Sequence, residues 1–250
     1  MAVGGIPAVV ATVFDQVNGQ AAAGLYASGL IGMTSQHPEA RAWLTSRLRA
    51  TGPANATGFW EAGQLDGYAC VRRFRGRDIH AYFTGGRADV RAAPAMQAML
   101  AAEGVMGAHG TPRMPTFVYK AVGDELSPVA ETDALVRRLC AAGARILYRR
   151  NGAGDHAAEW VNGRAAAFAF LASVLEESFE VRYGLGAGCE VYNVSIDLTT
   201  AATAGAAAAG GWWSGGGGDA VLRDAPERDP GSLRVVGEAG ESERGSGVVN

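Results

Sequence analysis

Long hydrophobic runs are missing from this sequence. A long uncharged region, residues 16–36, is mostly Ala, Gly, Ser and polar residues, and it falls short of the roughly 18 consecutive apolar positions that mark a membrane-spanning helix. An excess of either charge is missing as well. With 22 basic and 25 acidic residues the formal net charge is −3, which supplies no basic field for nucleic acid or anionic lipid. No Lys or Arg precedes the apolar segment 6–14, and Pro7 interrupts that segment early, so the N-terminus does not read as a signal peptide. Cysteine is scarce: there are three, an odd number that leaves at least one thiol unpaired. His37, His80 and His109 stand at no spacing with Cys or carboxylates that suits zinc, so neither a metal nor any other cofactor is implied.

What is present is the composition of an ordinary folded domain. The chain is 250 residues long, 48% hydrophobic and 19% charged, enough for one sizeable core among soluble globular proteins. Residues 20–50 read as one or two helices, with Leu44 and Leu48 at helical spacing and Thr51-Gly52-Pro53 as the stop. From Phe59 to Leu100 short strand-like pieces alternate with Gly-rich turns. A helix over 92–104 puts Met96, Met99 and Leu100 on one side as core. The run Arg72-Arg73-Phe74-Arg75-Gly76-Arg77 reads as a solvated strand or loop edge.

From Pro115 the pattern is strand, helix, strand, helix, over 115–122, 128–142, 145–149 and 157–177, a parallel βαβα unit. Beyond residue 198 come Ala/Gly tracts and a polar tail with Pro226 and Pro230. That composition cannot bury a core, and residues 199–250 are expected to be disordered.

Two residues stand where chemistry is done. Asp124 lies just past the apolar run that breaks at Gly123, and His156 follows Arg145-Ile146-Leu147-Tyr148-Arg149-Arg150 through a glycine-containing loop. Each opens onto a helical stretch, which places both at the carboxyl ends of neighbouring parallel strands. Acid before histidine is the order of the back half of a serine hydrolase triad. Asp155 is adjacent to the histidine, so its side chain diverges from it and is expected in solvent. Upstream of Asp124 nothing reads Gly-x-Ser-x-Gly, the elbow that exposes the nucleophile. Ser28 has no glycine two places to either side, and Ser214 follows the histidine. The nucleophile serine is therefore absent from the pattern.

These residues resemble the secretory lipases of yeasts and filamentous fungi, the lipase A type. Five ordered segments carry the resemblance: Gly4-Gly5-Ile6-Pro7; Gly24 to Leu48 with His37-Pro38-Glu39; Pro115 to Pro128; Leu139-Cys140-Ala141-Ala142-Gly143-Ala144; and Gly154-Asp155-His156-Ala157-Ala158-Glu159. It spans roughly residues 3–200. It implies an α/β fold, the C-terminal part of an α/β-hydrolase over residues 1–198, with an incomplete parallel sheet. Residues 8–110 would be a helical cap or lid, and residues 115–177 the last strand–helix units, carrying the acid and the histidine.

The resemblance further implies hydrolysis of triacylglycerol or another carboxylic ester, with Asp124 and His156 as triad members. It implies secretion of the complete protein and a closing disulfide between Cys140 and Cys189, which leaves Cys70 unpaired. The residues alone leave open three buried free thiols. Asn55-Ala56-Thr57 and Asn193-Val194-Ser195 are glycosylation sequons that agree with secretion. In the family the nucleophile elbow precedes the segment matched by this chain, so the sequence reads as a truncated, inactive C-terminal fragment. Two other classes stay open: a noncatalytic lipid-binding or interaction protein, and a different Ser-Asp-His hydrolase such as a peptidase. Nothing in the sequence sets an oligomeric state.

Overall fold

The computed structural model describes residues 1–186 and 188–199. Four parallel strands form one sheet in sequence order: β1 (Ala2–Gly4), β2 (Thr116–Ala121), β3 (Ile146–Asn151) and β4 (Cys189–Val194). Residues 116–121 pair in register with 146–151. Between β1 and β2 the chain is helical: α1 (Val10–Val17), α2 (Ala23–Thr34), α3 (Pro38–Arg47), α4 (Ala56–Trp60), α5 (Gly67–Phe74), α6 (Arg87–Arg91) and α7 (Pro94–Glu103). After β2 come α8 (Val129–Ala141), α9 (His156–Leu175) and α10 (Phe179–Tyr183).

The strand alternation explains the layers. Val118, Ile146 and Tyr148 point to one face and pack with Leu135 and Val136 of α8. Phe117, Tyr119 and Leu147 point to the other and pack with Ala167 and Phe170 of α9. Strands of a sheet covered on both faces are buried along their length and mostly apolar; β2 is buried throughout, with Thr116 and Lys120 as its polar positions. The helices between β1 and β2 bury a separate cluster that includes Phe14, Tyr26, Leu44, Phe59, Phe74 and Met99.

Several expectations are corrected here. Residues 59–100 hold helices and single 3-10 turns, not strands; the one bridge in this stretch joins Leu48 to Phe83. Their apolar pieces are too short to separate a strand from a helical turn, and the deciding signals are caps. Asn55 accepts from Gly58 N, Asp66 from Ala69 N and Asp78 from His80 N, each satisfying an amide at a helix start. The basic run is likewise no strand. Arg72 and Arg73 lie in the last turn of α5, where cations complement the helix dipole, and the side chains of Arg72, Arg73, Arg75 and Arg77 are exposed. The structure also adds β1 and β4, which the sequence pattern did not mark. Apart from Thr199, the tail expected over 199–250 lies outside the described residues, and so does Ser214. Among the described residues no helix is long and apolar enough to cross a membrane.

Candidate active site

Asp124 sits in the loop after β2. Its Oδ1 accepts from Leu126 N at 3.0 Å and Ser127 N at 2.8 Å. Its Oδ2 accepts from Lys120 Nζ at 2.6 Å and lies 2.8 Å from His156 Nδ1. Burial pushes this carboxyl's pKa up, but hydrogen bonds from His156 and Lys120 and the Lys120 charge outweigh burial and hold it down at about 2. The carboxylate is therefore ionised, and an ionised carboxylate only accepts. Nδ1 of His156 must carry the proton, which leaves Nε2 as the basic nitrogen of the neutral ring.

His156 is the first residue of α9, and the start of that helix fixes its backbone. Asp155 caps the helix by accepting from Ala158 N at 2.8 Å, and Glu125 Oε2 accepts from His156 N at 3.1 Å. Asp155 is accordingly half-buried and engaged, not a solvent side chain as expected. The imidazole is 32% exposed. Gly5, in the turn after β1, stands beside it: φ is +59°, and a Cβ built there would come within 2.8 Å of His156 Cε1. Only glycine satisfies both the backbone angle and the approach. The loops after β2 and β3 nearly touch as well, since a Cβ on Gly123 would lie 3.0 Å from the carbonyl oxygen of Gly154.

A buried polar network seats α9 on β3. Arg149 donates to Glu159 Oε1 at 2.8 Å and to the Asn162 carbonyl at 3.0 Å. Asn151 Nδ2 reaches Glu159 Oε2 at 2.7 Å and the Ile196 carbonyl at 2.8 Å. Nearby, Tyr119 fills the space over Gly4 and Gly163, where an added Cβ would fall 2.1 Å from its ring. Two glycines thus let α9 lie close to β1 and β2.

The structure brings Asp124 and His156 together, and the described serines of interest are engaged with backbone carbonyls. Ser28 lies in α2 and donates its hydroxyl to the Gly24 carbonyl at 3.0 Å. Ser127 is buried and donates to the Ile6 carbonyl at 2.6 Å. Cys140 and Cys189 form a disulfide with Cα atoms 6.0 Å apart, tying the end of α8 to the start of β4. Cys70 is a buried free thiol whose pKa burial pushes up. Asn55 caps α4, while Asn193 stands exposed on β4 and accepts from Arg150 at 3.1 Å. The histidines set aside as metal ligands are engaged elsewhere: His37 with Glu103, His80 with Asn18 and Tyr26, His109 with the Ala102 carbonyl.

Lys120, Glu125 and Gly5 were not foreseen. A signal for Lys120 existed: it is the only lysine among 22 basic residues, and it interrupts an apolar run four positions before the acid.

A parallel sheet clad by helices, with an acid and a histidine meeting at the carboxyl ends of adjacent strands, is the arrangement of the α/β-hydrolase fold. Comparison with solved structures agrees. Candida antarctica lipase A in its closed state superposes with a TM-score of 0.62 at 22% identity, over 71% of this chain and 42% of that one. A second structure of the same lipase gives 0.62 at 21% identity, over 79% and 45%. The family described as secretory lipase matches residues 1–181, and the chain belongs to that family.

Curated relatives carry the same message. The chain is 38% identical over 199 residues to the trichothecene C-3 esterase of Fusarium sporotrichioides, covering 80% of this chain and 44% of that protein. It is 36% identical over 195 residues to a probable trichothecene esterase of Stachybotrys chartarum, covering 78% and 39%. To lipase A of Arthroderma benhamiae it is 32% identical over 180 residues, covering 70% and 36%. The chain thus spans about two fifths of the length of the curated relatives it matches.

Proposed function

We propose that Asp124 and His156 are the acid and the base of a carboxylic-ester hydrolase whose nucleophilic serine comes from outside the described residues, and that this chain alone does not turn over esters. The observation that carries the reading is the 2.8 Å contact from Asp124 to His156 Nδ1 at the ends of paired parallel strands. In the complete site the serine attacks the ester carbonyl while His156 Nε2 takes its proton. The imidazolium that forms is stabilised by Asp124 and then protonates the leaving alcohol. Water resolves the acyl-enzyme by the same proton path.

Residues 8–110 serve as the cap over this site, a role supported by their own hydrophobic cluster. The substrate is a triacylglycerol or another carboxylic ester. The names of the relatives support both, since two are trichothecene esterases and one is a lipase. Family membership, the disulfide and the sequons at Asn55 and Asn193 support secretion with N-linked glycans.

Grafting the chain in place of the matched region of the Fusarium sporotrichioides esterase tests the roles directly. The graft should hydrolyse a p-nitrophenyl ester and bind a serine-directed phosphonate, and Asp124→Asn should lower kcat by about 10⁴-fold through loss of the productive tautomer. A His156→Ala graft as active as its parent would remove the assignment. The chain alone should show neither turnover nor phosphonate labelling, and stoichiometric labelling of one of its serines would refute the second half of the proposal. Triolein and an acetylated polycyclic alcohol, offered to the active graft, separate the two substrate classes.

A further inference from the structure

We propose that Lys120 is a positioning residue for His156, acting through Asp124: its buried ammonium pins the carboxylate oxygen to which the imidazole bonds and offsets part of the field that carboxylate exerts on the ring. The inference rests on the acid–base reading above and adds a third member to the pair. The chain uses arginine at every other basic position, and its one lysine is fully buried, with no exposed side-chain surface. Lys120 Nζ and His156 Nδ1 converge on the same atom, Asp124 Oδ2, at 2.6 and 2.8 Å.

Stability alone gives little reason for this cation. Asp124 is already held through Oδ1 by two backbone amides, and a buried ion pair stabilises no better than apolar side chains of the same volume. A compact ammonium on a flexible stem also suits a single shared oxygen, whereas a guanidinium presents a planar fork of donors.

The surrounding charges leave this assignment to Lys120. On β3 the neighbour in register is Arg150, which is paired with Asp133 of α8 at 3.2 Å. In the loop after β2, Glu125 is committed to the His156 amide, and on α9 Asp155 caps the helix while Glu159 is paired with Arg149. The turn after β1 places Gly5 beside the ring. Lys120 is thus the cation in direct contact with the carboxylate that orients the imidazole. With the lysine charged, the acid–lysine pair is neutral overall, so protonating His156 is less favoured than beside a bare carboxylate.

Diethyl pyrocarbonate carbethoxylates the neutral imidazole and needs neither a serine nor turnover. The rate of labelling at His156, read by peptide mass spectrometry of the full chain across pH, therefore reports this balance, with the exposed His109 as reference in the same digest. Lys120→Met removes the charge, and Lys120→Gln removes it while keeping a hydrogen-bond donor. Both should move the pH midpoint of His156 labelling up by about one unit, because loss of a nearby cation favours the imidazolium, and Lys120→Arg should hold it at the wild-type position. An unmoved midpoint in a folded neutral variant overturns the proposal. Loss of the fold in both neutral variants overturns it too, by assigning the lysine to stability alone. A shifted midpoint with an inactive graft would retain the Lys120 role and discard the esterase reading; an active graft with an unmoved midpoint would do the reverse.

Discussion

Asp124 gathers four donors on two oxygens, and this makes its ionisation a stability term. Its carboxyl is held at about 2 in the folded chain against an ordinary value of 3.8. A folded pKa below the unfolded one gives stability that is present above pH 4 and is lost as the pH falls through about 2, amounting to about 2 kcal/mol. Urea unfolding of wild type and Asp124→Asn at pH 6, 4 and 2.5 isolates this contribution from the other carboxylates. The gap between the two proteins should narrow by most of that amount toward pH 2.5. A gap that stays constant would mean that the carboxylate is not preferentially stabilised in the fold. The place of Asp124 was legible in the sequence because a strand that breaks at Gly123 aims the next side chain off the sheet end. Lys120 was marked only as the chain's one lysine, and the role of Gly5 was not marked at all. Periodicity reads Lys120 as one more position in a buried run, and the demand on Gly5 comes from a ring that the chain brings back only at residue 156.

At the level of elements, α9 is where packing and chemistry meet. Its first residue is His156, its first turn carries the buried Glu159, and at Gly163 it presses on the Tyr119 ring. Intrinsic propensity favours Gly163→Ala by about 1 kcal/mol in a helix interior. Packing opposes it more strongly, because the new Cβ would lie 2.1 Å from Tyr119 Cδ2, near the base of the ring, where little freedom exists. Overpacking of this kind costs about 1–3 kcal/mol. Gly163→Ala should therefore lower the thermal midpoint, and Tyr119→Leu should relieve the loss in the double variant. A more stable Gly163→Ala protein would show that α9 does not lie so close to the sheet. The long helices and both central strands were visible as periodic or continuous apolar patterns. The short helices between residues 56 and 91 were not, since each is only a turn or two long and tertiary burial decides its state.

For the described chain taken whole, the hydrophobic core divides into separate clusters. The helices between β1 and β2, joined by Leu126 from the loop after β2, bury one cluster, and the faces of the sheet bury two others that share no residue with it. Where the chain enters and leaves the helical region its two segments pair: Val9 bridges Val105, Val10 N donates to the Gly104 carbonyl at 2.8 Å, and Met106 N donates to the Ala8 carbonyl at 3.0 Å. The strand–helix alternation showed the sheet portion, and the family resemblance set residues 8–110 apart from it as a cap; periodicity alone did not mark this division, because the contacts that separate the clusters are not periodic. The Cys140–Cys189 bond lies wholly on the sheet side and closes a separation of 49 residues. In the chain-entropy model such a closure contributes about 4 kcal/mol. Regions with separate cores open as separate cooperative units, each with its own free energy. Reduction should therefore speed amide exchange in α8, β3 and β4 while α2 and α7 keep the protection they have in the oxidised protein. Hydrogen–deuterium exchange with and without a thiol reductant reads this segment by segment, and a Cys140→Ser, Cys189→Ser protein controls for the reductant itself. Equal loss of protection in α2 and β3 would show one cooperative core.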